Sequence, residues 1–144
     1  MTVFVLDNSV AMRWLLNTKK AADQQYALGV LDSLENGSAI VPNLWHLEAT
    51  NVLLSAEKRD EISLGEIEGF ISQLENLSIQ TDTMTSHHAF NRTLTLARAY
   101  KLSSYDAAYL ELAIREGLPL ATLDKTLIKA AIKAGVEIHL KNSV

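Results

Sequence analysis

Thr2-Val3-Phe4-Val5-Leu6-Asp7-Asn8-Ser9 is the stretch that decides the fold class. Its β-branched and aromatic run is strand composition. The run stops at Asp7-Asn8-Ser9, residue types that start helices, and helical spacing begins at once with Val10, Trp14 and Leu15. A strand feeding directly into a helix is the first half of a crossover unit, and the rest of the chain repeats that grammar. Helices are predicted at about 21–35, 44–58, 63–76, 86–100, 104–115 and 125–133, and strands at 39–41, 77–80, 118–122 and 136–140. Asn36-Gly37, Gly117 and Gly135 supply the stops. Parallel neighbours require crossover connections, so this alternation predicts an α/β fold with a mainly parallel sheet of four to five strands covered by helices on both faces. Neither an internal repeat nor a linker interrupts it, and one domain spanning residues 1–144 is expected.

Composition narrows the function classes. The chain is 48% hydrophobic and 21% charged, with six Gly and two Pro, which is the make-up of a globule with a core. The absence of cysteine removes disulfides, thiolate nucleophiles and Cys-ligated zinc. The apolar start is broken at Asp7, far short of the ~20 residues a membrane span requires, and it carries no basic leader. A cytoplasmic protein without membrane attachment is therefore expected. A net charge of −4 argues against a passive nucleic-acid binder, which normally presents a basic surface. It leaves a nuclease open, because carboxylates gathered around divalent cations count as acidic until the metal is bound.

Four acids stand out. In an open parallel sheet the ligand site lies beyond the carboxyl ends of the strands, where Asp7 and Asp124 fall. Asp106 opens one predicted helix and Glu48 lies a turn into another, so all four can meet at one end of the sheet. Taken singly, capping is the plainer reading for the aspartates: Asp124 before Lys125, and Asp106 at capping-box spacing from Ser103. Asp7 is a weaker cap, since Ser9 would serve.

Glu48 is harder to explain away. At 100° per residue, Leu44, Trp45, Leu47, Val52 and Leu54 share an arc centred on Glu48 and Asn51, which predicts a carboxylate on the core side with Asn51 placed to orient it. Such a group needs a cation, a basic partner or a raised pKa. Clustered carboxylates repel by about 4 kcal/mol per pair at 4 Å with an effective dielectric near 20, and divalent cations reverse that sign. An all-oxygen set without Cys favours Mg²⁺ or Mn²⁺ over zinc, and such ions commonly activate water for phosphodiester hydrolysis.

These residues resemble the PIN-domain ribonucleases of the VapC type, the toxins of toxin–antitoxin pairs. The resemblance is carried by VFVLDNSVAMRWL (3–15), VPNLWHLEATNVLL (41–54) and KLSSYDAAYLELAIREGLPLATLDKTLIKAAIKAGVEI (101–138), with the run Tyr105-Asp106-Ala107-Ala108-Tyr109 and the strand ending Ala121-Thr122-Leu123-Asp124 the most specific parts. It implies a PIN-like three-layer α/β/α sandwich and an endoribonuclease dependent on Mg²⁺ or Mn²⁺. Asp7, Glu48, Asp106 and Asp124 would be the metal-binding catalytic acids, with Ser9, Asn51 and Thr122 in support. It further implies an RNA substrate, a small cognate antitoxin and a homodimer. Residues 57–95 match only in helical pattern.

Lys125, Lys129 and Lys133 recur every four residues and would line a phosphate track beside Asp124, or simply be solvated. Arg13 would meet substrate or antitoxin, or form a surface ion pair. Two rival readings remain. A receiver domain also binds Mg²⁺ at strand ends, but it needs its middle acid on a strand, whereas Glu48 falls on a helix. A catalytically idle PIN-like module that binds RNA or protein would retain the fold without the chemistry.

Overall fold

The computed structural model describes residues 2–17 and 19–141. Strand β1 (Thr2–Leu6) leads into a short helix α1 (Asn8–Ala11) and a 3-10 turn (Met12–Trp14). Helix α2 (Ala21–Ser33), strand β2 (Gly37–Val41), helices α3 (Trp45–Lys58) and α4 (Leu64–Glu75) and strand β3 (Ile79–Thr81) follow. The last third holds α5 (Thr85–His88), a π-helical turn (Ala89–Thr93), α6 (Leu94–Tyr100), α7 (Ser104–Glu116), strand β4 (Leu120–Ala121) and α8 (Lys125–Lys133).

The four strands pair in parallel in the order β3-β2-β1-β4. Successive crossovers carry the chain outward from β1 through β2 to β3; the next one returns past both to place β4 on the free side of β1. That reversal opens a crevice beyond the carboxyl ends of β1 and β4, the place where open α/β sheets bind their ligands. Phe4, Val5 and Leu6 are fully buried on both faces of the central strand, as helices covering both sides of a parallel sheet require. The architecture is the expected three-layer α/β/α sandwich.

Local chemistry explains the joins. Gly37, expected as a stop, instead starts β2 opposite Thr2; a Cβ there would lie 2.5 Å from the Thr2 carbonyl oxygen and 2.8 Å from that of Ser33. Gly117 closes α7 in the left-handed conformation, φ 64°, as its position predicts. Partly buried Arg115 on α7 donates to both oxygens of Asp82, just after β3, and to Glu111 one turn back. That fork fixes the register of α7, the helix that carries Asp106.

Two expected elements differ. The helix predicted at 86–100 is divided by the π turn, whose extra residue leaves Thr93 buried and Phe90 94% exposed. The strand predicted at 136–140 reduces to a single parallel bridge, Leu120 to Ile138. Its extension is stopped because the His139 carbonyl accepts from the Tyr26 hydroxyl and Leu140 adopts φ 60°, a conformation that cannot continue a ladder.

Candidate active site

Asp7 stands at the N-cap of α1, yet its side chain makes no cap bond, which sets aside the capping reading for this acid. Its Oδ2 accepts from Ser9 Oγ at 2.7 Å and from Thr122 Oγ1 at 2.8 Å, and the residue is 7% exposed. The two hydroxyls are themselves aimed by the backbone: Leu123 N–H donates to Ser9 Oγ at 2.9 Å and Asp124 N–H to Thr122 Oγ1 at 3.1 Å. Each hydroxyl has one proton, and with an amide on its acceptor side that proton is free to point at Asp7. Ser9 and Thr122 thus hold the first acid by one oxygen. Burial pushes the Asp7 carboxyl above its usual range; the Ser9 and Thr122 bonds oppose this, and the charges of Glu48 and Asp124 add to it.

Asp124 does cap α8, its Oδ1 accepting from Leu127 N–H at 3.0 Å. The capping and cluster readings are compatible here, since one oxygen makes the cap bond while the charge still acts on Asp7 and Asp106. For α7 the cap is Ser103, whose hydroxyl accepts from Asp106 N–H at 3.1 Å. Burial, then the charges of Asp124 and Asp7, push the Asp106 carboxyl up to about 6, against a weaker opposing bond from Ser103.

Glu48 is half-buried in the first turn of α3. Its Oε1 accepts from the Tyr109 hydroxyl at 2.6 Å. Burial raises its carboxyl pKa and the Asp106 charge adds to the rise, while Tyr109 and the Asn8 side chain oppose it. The Tyr109 ring is fully buried, and desolvation with the charges of Asp7, Glu48 and Asp106 raises its hydroxyl pKa, so it remains a proton donor. The four predicted acids share one electrostatic neighbourhood: the charges of Glu48 and Asp124 act on Asp7, that of Asp106 acts on Glu48, and those of Asp124 and Asp7 act on Asp106.

The orientation of α3 corrects one expectation. Its buried face is Trp45, Ala49, Leu53 and Ala56, whereas Leu47 is 76% exposed and Leu54 53%. The large leucines suggested the wrong arc because two alanines carry the core side. Glu48 lies beside that face and not at its middle, and Asn51 is exposed. The polar partners of Glu48 are Tyr109 and Asn8 in place of Asn51. Asn8 is buried and donates to the Trp45 carbonyl at 2.9 Å, joining α1 to the start of α3; its Oδ1 has no partner among the described residues. Sequence reasoning missed both. Tyr109 was legible in principle, three residues beyond Asp106 and so on the same helix face.

Lys125 and Lys129 are exposed on α8, and Arg13 is half-buried in the 3-10 turn. Among the described residues no three His, Asp or Glu side chains close on a common point as a ready-made metal site. The donor set nevertheless fits a hard divalent cation: four carboxylates, no thiolate, and mutual repulsion that a cation would relieve.

An α/β sandwich with carboxylates gathered at its topological switch point defines a class of acid-lined domains suited to phosphate chemistry. The sequence model of the PIN domain matches residues 4–133, and the chain belongs to that family, whose members are typically metal-dependent nucleases. Two solved structures share the fold. PAE2754 from Pyrobaculum aerophilum is 20% identical with a TM-score of 0.63, over 90% of this chain and 86% of that one. FitAcB from Neisseria gonorrhoeae is 18% identical with a TM-score of 0.53, over 96% of each chain. Comparison with curated proteins finds no match. Among the described residues no helix is long and apolar enough to cross a membrane.

Proposed function

We propose that this chain is an endoribonuclease dependent on Mg²⁺ or Mn²⁺, acting as the cytoplasmic toxin of a toxin–antitoxin pair, and that residues 1–144 form one nuclease domain. The observation that carries the nuclease reading is the convergence of Asp7, Glu48, Asp106 and Asp124, with burial and mutual charge raising the pKa of the first three. Carboxylates held near one another at this electrostatic cost are suited to a cation that would draw them together. The four acids would hold one or two Mg²⁺ or Mn²⁺ ions, which when bound supply an activated water and neutralise charge on the phosphate.

The chain's own groups set the geometry. Ser9 and Thr122 occupy one oxygen of Asp7 and leave the other free; Tyr109 holds Glu48 by one oxygen; the Leu127 amide holds Asp124 by one oxygen. Each of these three acids is thereby fixed by one oxygen and offers its second. The toxin role, the antitoxin and the homodimer are proposed on the motif resemblance at 3–15, 41–54 and 101–138.

The test is cleavage of total cellular RNA by purified, antitoxin-free protein with Mg²⁺ or Mn²⁺ against EDTA. Metal-dependent cutting is expected, lost in folded Asp7→Asn, Asp106→Asn and Asp124→Asn proteins. Cutting by those variants at the wild-type rate would refute the site. Tight metal binding without cutting of any RNA would favour an idle PIN-like binding module.

A further inference from the structure

Beyond the acids, α8 forms one wall of a cleft of about 430 Å³ whose other wall is the end of α6, with Tyr100, Lys101, Thr126, Lys129 and Lys133 among its lining residues. No carboxylate lines it, and among the described residues none of the three lysines forms an ion pair. Three lysines lining one hollow bring like charges together, and a polyanion relieves their repulsion. The surrounding protein has a net charge of −4, so the basic surface is local and not general.

Lys101 adds an independent argument. It ends α6 in the left-handed conformation, φ 55° and ψ 46°, and Leu102 N–H closes the helix onto the Ala97 carbonyl. This turn demands the backbone conformation but not a lysine; glycine is the usual occupant because an L side chain is strained there. The strained position puts an amine at the cleft.

We propose that this cleft is an RNA-backbone subsite, and that it takes a single-stranded segment of the substrate leaving the acidic site. It rests on the nuclease reading above for its substrate. Continuity supports it: the cleft begins at Thr126, two residues past Asp124, and Lys129 and Lys133 continue along α8 at roughly 6 Å intervals. Amines tracking phosphates beside an aromatic wall, here half-buried Tyr100, is the arrangement that binds single strands, and it favours RNA over an acidic peptide.

The experiment is fluorescence anisotropy of a labelled oligouridylate of about twelve nucleotides, within the span of one single-strand platform, titrated in EDTA over a range of salt. Wild type is compared with Lys101→Gly/Lys129→Gln/Lys133→Gln, its folding checked by thermal melting. Each lost phosphate contact reduces the slope of log K against log salt by about 0.7, so three reduce it by about two and weaken binding on the order of a hundredfold near 0.1 M salt. Unchanged affinity and slope, no wild-type binding at low salt, or lysine-dependent binding of polyglutamate with RNA unaffected would each overturn the proposal. Because EDTA removes the metal, this result is independent of cleavage. A wild type that binds through the lysines yet never cuts would refute the nuclease reading alone.

Discussion

The Tyr109 hydroxyl and Glu48 Oε1 lie 2.6 Å apart, a bond that ties α7 to α3 across the mouth of the candidate site. Asp106 and Tyr109 share one face of α7, and Arg115 fixes that helix against Asp82, so a single helix register presents one acid and aims another. Tyr109→Phe removes the donor without changing the ring's packing. Glu48 is half-exposed and water can replace the lost bond, so the melting temperature should move little. Mn²⁺ affinity, read by calorimetry or electron paramagnetic resonance, should fall about 10- to 100-fold, as it does when an orienting partner of a ligand is lost. Wild-type affinity in the variant would show that other contacts position Glu48.

Thr122 serves two neighbours, donating to Asp7 and accepting from the Asp124 amide. Thr122→Val keeps its shape and removes both bonds, leaving buried polar atoms short of partners at a cost of about 1–3 kcal/mol in urea unfolding. The cost should be larger at pH 8 than at pH 5, because protonating Asp7, whose pKa is already raised by burial, lessens its need for a donor. Thr122→Ser should recover most of the loss. Equal costs at the two pH values would show that Asp7 does not depend on this hydroxyl.

The fold was legible because its elements announce themselves in short range: the run into Asp7, the helix stops, and the alternation that demands a parallel sheet. The acids were legible because Asp7 follows β1 directly and Asp124 comes three residues past β4, at the start of α8. What was not legible depended on rotation and distance. Helix α3 buries Ala49 and Ala56 and exposes Leu47, an outcome set by how closely α3 packs and not by side-chain hydrophobicity. The Tyr109–Glu48 bond joins residues 61 apart, and no local pattern encodes it. The strand expected at 136–140 failed for a similar reason, since Tyr26 on α2 takes the His139 carbonyl that a ladder would use.

The exchange of Asn51 for Asn8 as the asparagine beside Glu48 has its own consequence. Asn51→Ala alters an exposed side chain and should change stability by no more than about 0.5 kcal/mol and leave cleavage near wild type. Asn8→Ala should cost about 1–3 kcal/mol, because the Trp45 carbonyl at the start of α3 loses its buried donor. Urea titrations of the two variants decide it; equal destabilisation would mean that Asn51 carries structure its exposure hides.

Stability against pH tests the acid cluster directly. The Asp106 carboxyl, held up to about 6 by burial and by Asp124 and Asp7, binds its proton more tightly in the folded chain than in the unfolded one, where its value is near 3.8. Linkage then makes its contribution fully present below about 3.8 and lost as pH rises through about 6. Asp7 and Glu48 are raised too and add in the same direction. His139 opposes them: its ring is pushed down to about 4 by burial, so its contribution is present above 6.5 and lost as pH falls toward 4. Wild type alone mixes these slopes, whereas the difference between wild type and Asp106→Asn at each pH reports Asp106 together with its charge coupling to Glu48, Asp7 and Asp124 and leaves out His139. In metal-free buffer Asp106→Asn should melt above wild type at pH 7.5 and lose that advantage by pH 4. Mn²⁺ at about 100 times its dissociation constant should then stabilise wild type by about 2.7 kcal/mol at pH 7.5 and the variant much less, reversing the order of the two melting temperatures. A variant that melts below wild type in EDTA at pH 7.5 would show that Asp106 is held by favourable contacts instead of by repulsion awaiting a cation.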